Sequence, residues 1–179
     1  FAYEKGLIHR KLNQLKESGT AFRHAIEIDP NLAEAQAALG ETYLEQSQPD
    51  KAVTELQQAL RKNPKLADGW YWLGLAHKQL KKNDEASHAF QECLKVDPRH
   101  GRALFEYGLV QMRNADYRGA DDSFTRAASM LNDNGWLYYE HARALSHLGR
   151  WDGMLEKARR AQDLAIDRAD LHYLKGQAW

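Results

Sequence analysis

Residues 67–100 read ADGWYWLGLAHKQLKKNDEASHAFQECLKVDPRH, and the order of small, aromatic and helix-breaking residues in this stretch decides the fold. Gly74 lies inside an apolar-periodic run, where a helix is expected and where an interior glycine costs about 1 kcal/mol relative to alanine. Lys82-Asn83-Asp84 interrupts the run. Ala86, Phe90 and Cys93 follow at spacings of four and three, which puts all three on one helix face. Pro98 then prevents the second helix from continuing. The stretch is a helix, a short turn and a second helix.

The same pattern recurs outward in both directions with a period of 34 residues. Pro30, Pro64 and Pro98 share one column, and Gly6, Gly40, Gly74, Gly108, Ala142 and Gly176 share another. Two further columns are small almost throughout: Ser18, Ala52, Ala86, Ala120, Met154 and Ala25, Ala59, Cys93, Ala127, Ala161. Between them runs a bulky column, Phe22, Leu56, Phe90, Phe124, Ala158. A recurring glycine within a helix predicts close approach of a neighbouring helix, with the small residues admitting the partner and the bulky side chain filling the gap. Turns within units read Ser47-Gln48-Pro49-Asp50, Lys82-Asn83-Asp84, Asn114-Ala115-Asp116 and Gly149-Arg150-Trp151-Asp152, each ending near a residue suited to cap the next helix. The grid gives units 33–66, 67–100, 101–134 and 135–168, with partial units at 1–32 and 169–179, read as one repeat array over 1–179.

This pattern resembles the tetratricopeptide repeat family, whose signature is a 34-residue antiparallel helix pair with Gly, small, aromatic, small and Pro at these offsets. Trp70, Leu73, Gly74, Ala86, Phe90, Cys93 and Pro98 are its fullest match. The resemblance implies an all-α fold, a right-handed superhelical solenoid of antiparallel helix pairs. The chain departs from the signature at Asn132 and Ile166 in the proline slot, and at Ala142, Met154 and Ala158 in the other columns, which predicts different local packing around 131–168.

Lys plus Arg equals Asp plus Glu at 25 each, so no strong long-range field favours nucleic acid or an anionic membrane. The Lys78, Lys81, Lys82 run reads as a solvated helix end. No apolar run approaches the roughly 18 residues of a membrane span. Cys93, the single cysteine, stands in a core column as a small apolar group. The chain opens at Phe1 in mid-helix by the grid and stops at Trp179 short of a second helix, which reads as a piece of a longer protein. Cytoplasm and periplasm both fit.

Catalytic or cofactor chemistry finds no foothold, so the chain reads as a non-enzyme with no cofactor and no metal. His141 and His147 are six apart, not the four of a helical metal pair, and His141 shares a packing column with Leu39, Leu73 and Tyr107. His88 and Cys93 are five apart, with the cysteine in the core column. Asn132-Asp133-Asn134-Gly135 lacks the downstream Glu of a calcium loop and reads as a turn between units.

In the family it resembles, partners bind along the concave groove formed by the first helix of each pair. Here the groove columns read Tyr3, Ala37, Tyr71, Phe105, Tyr139, Tyr173, then Leu7, Glu41, Leu75, Leu109, Arg143, Gln177, then Arg10, Leu44, Lys78, Met112, Ser146, with Arg102 and Trp136 beside them. Tyr, Trp and Arg dominate interface hot spots, which predicts a groove for an extended or helical peptide segment of a partner protein. The competing reading is that the rings pack against the first helix of the next unit and are partly core. The carboxylate clamp of chaperone adaptors is not matched, since its slots hold Ala37, Glu41, Trp72, Arg102 and Glu106. Nor is the asparagine ladder of glycosyltransferase superhelices, whose slot reads Glu4, Ala38, Trp72, Glu106, Glu140, Leu174. The leading function is a non-catalytic protein-binding scaffold. The alternatives are a structural array that self-associates through its end units, or a docking segment of a larger enzyme or envelope-export machine.

Overall fold

The 34-residue grid is realised in helix starts: the first helices of successive pairs begin at Ala33, Ala67, Gly101 and Gly135. A computed structural model describes residues 1–164 and Gly176. Among these residues lie ten helices, α1 (Ala2–Lys11), α2 (Leu15–Ile28), α3 (Ala33–Glu45), α4 (Pro49–Lys62), α5 (Ala67–Gln79), α6 (Asn83–Val96), α7 (Gly101–Arg113), α8 (Tyr117–Ala128), α9 (Gly135–His147) and α10 (Trp151–Asp163). The chain divides into two compact units, Phe1–Pro98 and Arg99–Trp179. In the first unit α1 to α6 each pack on their sequence neighbours, and α3 also touches both α1 and α5. In the second, α7 to α10 pack in the same succession, with α7 beside α9.

Four of the five helix pairs are locked by a bulky residue of the second helix pressed into a gap on the first. Phe22, Leu56, Phe90 and Phe124 are fully buried. A Cβ added to Gly74 would lie 2.4 Å from the Phe90 ring, and one on Gly40 would lie 2.6 Å from Leu56. Gly6 and Gly108 meet Phe22 and Phe124 in the same way. The glycine thus makes room for the bulky side chain opposite it. The last pair explains its own departure: where the bulky column falls to Ala158, the glycine column rises to Ala142. Met154 replaces the small residue beside them, and all three are completely buried in one cluster.

The turns within pairs also repeat. Asn13, Ser47, Lys81, Ala115 and Gly149 stand 34 apart and adopt φ of 56°, 57°, 59°, 58° and 67°. In each, the next amide donates to the carbonyl five residues back, as Gln48 to Tyr43 (2.8 Å) and Lys82 to His77 (2.9 Å). This is a Schellman stop, whose left-handed residue is least strained as glycine. Ala115→Gly is therefore expected to raise the second unit's stability by roughly 0.5–1 kcal/mol, and Gly149→Ala to lower it by about 1 kcal/mol. Urea denaturation of the two variants checks the opposite signs.

The caps differ from the sequence expectation. Asp50, Asp84 and Asp152 lie inside the first turn of α4, α6 and α10, where they complement the helix dipole. Asp116 does cap, accepting from the Gly119 amide at 3.0 Å. Before Pro30, Pro64 and Pro98, the residues Asp29, Asn63 and Asp97 are extended, as steric clash with the proline ring requires. Where Asn132 stands in the proline slot, the chain turns once more and Leu131 donates to the Ala127 carbonyl at 2.9 Å. Asn134 then caps α9, accepting from the Leu137 amide, so Asn132–Gly135 is the expected turn.

Candidate functional site

The candidate contact residues divide into wall and rim. In the first unit, Tyr71 is 6% exposed, and in the second, Tyr139 is 3% exposed. Both were expected to face a ligand; both are sealed. Tyr71 packs on the bulky column, whereas Tyr139, whose pair carries Ala158 there, is enclosed by the cluster around Met154. Tyr3 lies 5.8 Å from Phe22, Tyr71 6.2 Å from Phe90 and Phe105 6.0 Å from Phe124, ring centre to ring centre. Each of these rings packs on the second helix of its own pair, and Tyr3 also lies against the cluster that holds Ala38 and Leu39 of α3, the first helix of the following pair, as the competing reading expected. Ala37 is the column's exception, and its pair carries Leu56 in place of phenylalanine. Burial also holds the Tyr3 phenol above its ordinary pKa.

What remains open in the first unit is a rim of half-buried side chains, Tyr3, Leu7 and Arg10 on α1 and Leu75 and Lys78 on α5. Arg10 is ion-paired with Glu41 of α3, so the two neighbouring helices share a neutralised polar contact on this face. Leu75 and Trp72 lean on the apolar cluster that contains Ala37, Leu44 and Leu73.

In the second unit Phe105, Leu109 and Met112 on α7 are half-buried, and Arg102 is exposed. On α9 three of the expected residues come together. Trp136, 44% exposed, meets the Tyr139 ring edge-on at 5.6 Å. The Arg143 guanidinium lies 5.9 Å from the same tyrosine ring and donates to Glu140 Oε2 at 2.7 Å. The exposed indole is thus braced from below by a buried phenol under a cation. Tyr173 lies outside the described residues.

The other singled-out side chains are structural. Cys93 is fully buried. His141 is buried, and its Nε2 donates to Asp121 Oδ1 at 2.8 Å while Arg150 pairs with the other carboxylate oxygen. Burial lowers the His141 pKa, and the Asp121 hydrogen bond opposes that shift. Among the described residues no three His, Cys, Asp or Glu side chains converge as metal ligands, and no helix is long and apolar enough to cross a membrane.

One feature was not anticipated from the sequence. A cavity of about 660 Å³ opens between α4, α5 and α6, lined among others by Leu60, Trp70, Leu73 and His77. Its signal was present in a column not singled out, His9, Tyr43, His77, Gln111, Leu145, where residue size and polarity change from pair to pair.

Comparison with known proteins agrees with this architecture. A family model described as TPR repeat matches residues 6–47 and 42–81, and one described as Tetratricopeptide repeat matches 67–100. Together they span residues 6–100, which is more than half of the 179. No curated protein sequence matches the chain. Among solved structures, pilF of Pseudomonas aeruginosa is similar with a TM-score of 0.87 at 20% identity, covering 99% of this chain and 81% of its own. MamA is similar with a TM-score of 0.78 at 21% identity, covering 89% and 94%. YrrB, described as a TPR protein with an unusual peptide-binding site, gives 0.75 at 19% identity, covering 99% and 89%. At these identities the structures speak for the fold alone. With repeat models matched over more than half its length and helix pairs built as they require, the chain belongs to the tetratricopeptide repeat family.

Proposed function

We propose that the chain is a non-catalytic protein-binding scaffold, and that the first-helix face of the second unit holds a contact point for a peptide segment of a partner. The observation that carries this reading is the Trp136–Tyr139–Arg143 cluster. A large exposed aromatic held in one orientation loses little conformational freedom on binding, and Trp, Tyr and Arg carry most of the energy of protein interfaces. Phe105, Leu109 and Met112 on the neighbouring α7 offer apolar, half-open surface to continue the contact. Arg102 on α7 supplies a further cation to an acidic partner. In the first unit the rim of Tyr3, Leu7, Arg10, Leu75 and Lys78 plays the same part, with Tyr71 as its support. That YrrB is described with a peptide-binding site lends the reading a precedent within the fold.

Selection of a random-peptide phage library on the whole chain tests it. Peptides so obtained are expected to bind Trp136→Ala and Arg143→Ala at least about tenfold more weakly, the loss of one hot-spot contact. The same Trp136→Ala variant should keep its helical content. Equal binding to wild type and both variants would remove this site from the reading. Light scattering across a dilution series separates self-association, which would show as a mass that rises with concentration.

A further inference from the structure

The cavity between α4, α5 and α6 shares no residue with the contact face described above, and it has the marks of a built site. Leu60, Leu73 and Trp70 form apolar lining, and His77 stands among them, 8% exposed, with no hydrogen-bond partner for its Nδ1. A buried polar atom without a partner is destabilising, and of the three such atoms among the described residues, Gln48 Oε1, His77 Nδ1 and His141 Nδ1, only that of His77 belongs to a residue lining this cavity.

The repeat supplies its own control. At the equivalent position of the preceding pair, Tyr43 receives a hydrogen bond from Arg23 at 3.3 Å and lies 5.6 Å below Lys51. In the next pair Gln111 accepts from the Ser123 hydroxyl at 2.6 Å. In the last, Leu145 is buried in the apolar cluster. Within this column His77 alone combines burial, an unpartnered ring nitrogen and open volume beside it.

The charges at the cavity define what it would hold. Asp84 and Glu85, from the first turn of α6, face it together with Arg61 of α4, and none of the three forms an ion pair among the described residues. The indole of Trp70 donates to the Pro64 carbonyl at 2.9 Å, which fixes the ring, and the His88 ring stands edge-on to it at 6.3 Å. Burial holds His77 below its ordinary pKa, with Glu85 opposing that shift and Lys82 adding to it, and Asp84 and Glu85 place two carboxylates at the cavity.

We propose that this cavity receives an arginine side chain of a partner protein. A guanidinium carries five donors in a plane, enough for the Asp84 and Glu85 carboxylates and for His77 Nδ1 in the tautomer protonated at Nε2. Its flat face stacks on a fixed indole, and its methylene stem lies along Leu60 and Leu73. A lysine ammonium offers three donors and no plane to stack, and a carboxylate would meet Asp84 and Glu85 with like charge. The remaining volume admits the flanking peptide backbone, whose carbonyls Arg61 can engage.

Titration of the whole chain with N-acetyl-arginine amide, followed by the Trp70 indole and His77 imidazole resonances, tests this. The acetyl amides of lysine, leucine and aspartate serve as competing probes. The arginine probe is expected to shift both resonances at millimolar concentration, with the Asp84→Asn, Glu85→Gln double variant binding at least about tenfold more weakly. His77→Leu, the residue the chain itself carries at Leu145, is expected to fold with an unchanged or raised thermal midpoint and to lose the shift at Trp70. Equal or tighter binding of the lysine, leucine or aspartate probe overturns the proposal, as does undiminished arginine binding in the double variant. Silence of both resonances towards arginine overturns it too.

Discussion

Phe90→Ala is expected to lower the stability of the first unit by about 3–5 kcal/mol, the range for removing a fully buried aromatic. Gly74→Ala, the complementary change, is expected to cost about 1–3 kcal/mol, because its new methyl would enter the Phe90 ring. The fifth pair, α9 and α10, says how the two errors cancel. There Ala142, Met154 and Ala158 stand where the third pair has Gly74, Ala86 and Phe90. Copying that set, the triple variant Gly74→Ala, Ala86→Met, Phe90→Ala should be more stable than the sum of its single changes by at least about 2 kcal/mol, since the three positions share one space. Urea denaturation monitored by circular dichroism measures the cycle. Strict additivity would mean that glycine and ring do not depend on one another.

The second large effect concerns the tyrosines. Tyr71→Ala and Tyr139→Ala are each expected to cost about 3 kcal/mol or more, because each ring is buried among the side chains of its own pair. For a chain of this size that lowers the thermal midpoint by roughly 6–12 °C. Trp136→Ala, at an exposed ring, should cost about 1 kcal/mol or less while removing the contact proposed for partners. Scanning calorimetry on the three variants separates the two roles. A Tyr139→Ala variant as stable as Trp136→Ala would return that tyrosine to the contact surface. Until then, loss of binding on changing Tyr71 or Tyr139 reports on the fold rather than on recognition.

The sequence was most readable where one residue type serves one geometric need. Gly74 and Phe90 could be assigned to a close helix crossing because an interior glycine has few other uses, and Pro64 to a boundary because it cannot continue a helix. Column reading failed where one residue type serves two needs. A tyrosine at a groove column can face out or pack in, and the outcome turns on what the second helix presents. Phe90 draws Tyr71 down upon itself. Ala158 leaves Tyr139 to be enclosed by the cluster around Met154. The His77 cavity was harder still to foresee, since it depends on three helices leaving the same volume unfilled, and no single column records that.

By itself, the sequence determined the period, where the breaks between helices fall, the family and the absence of any dominant charge. These follow from local chemistry repeated every 34 residues: backbone breakers, a helix-compatible apolar face, and small residues opposite large ones. Only the tertiary structure decided which aromatic rings are wall and which are rim, and where a polar ring nitrogen was left without a partner. Solvent exposure is a property of the neighbours a side chain acquires on folding, and those neighbours lie one or two helices away along the chain.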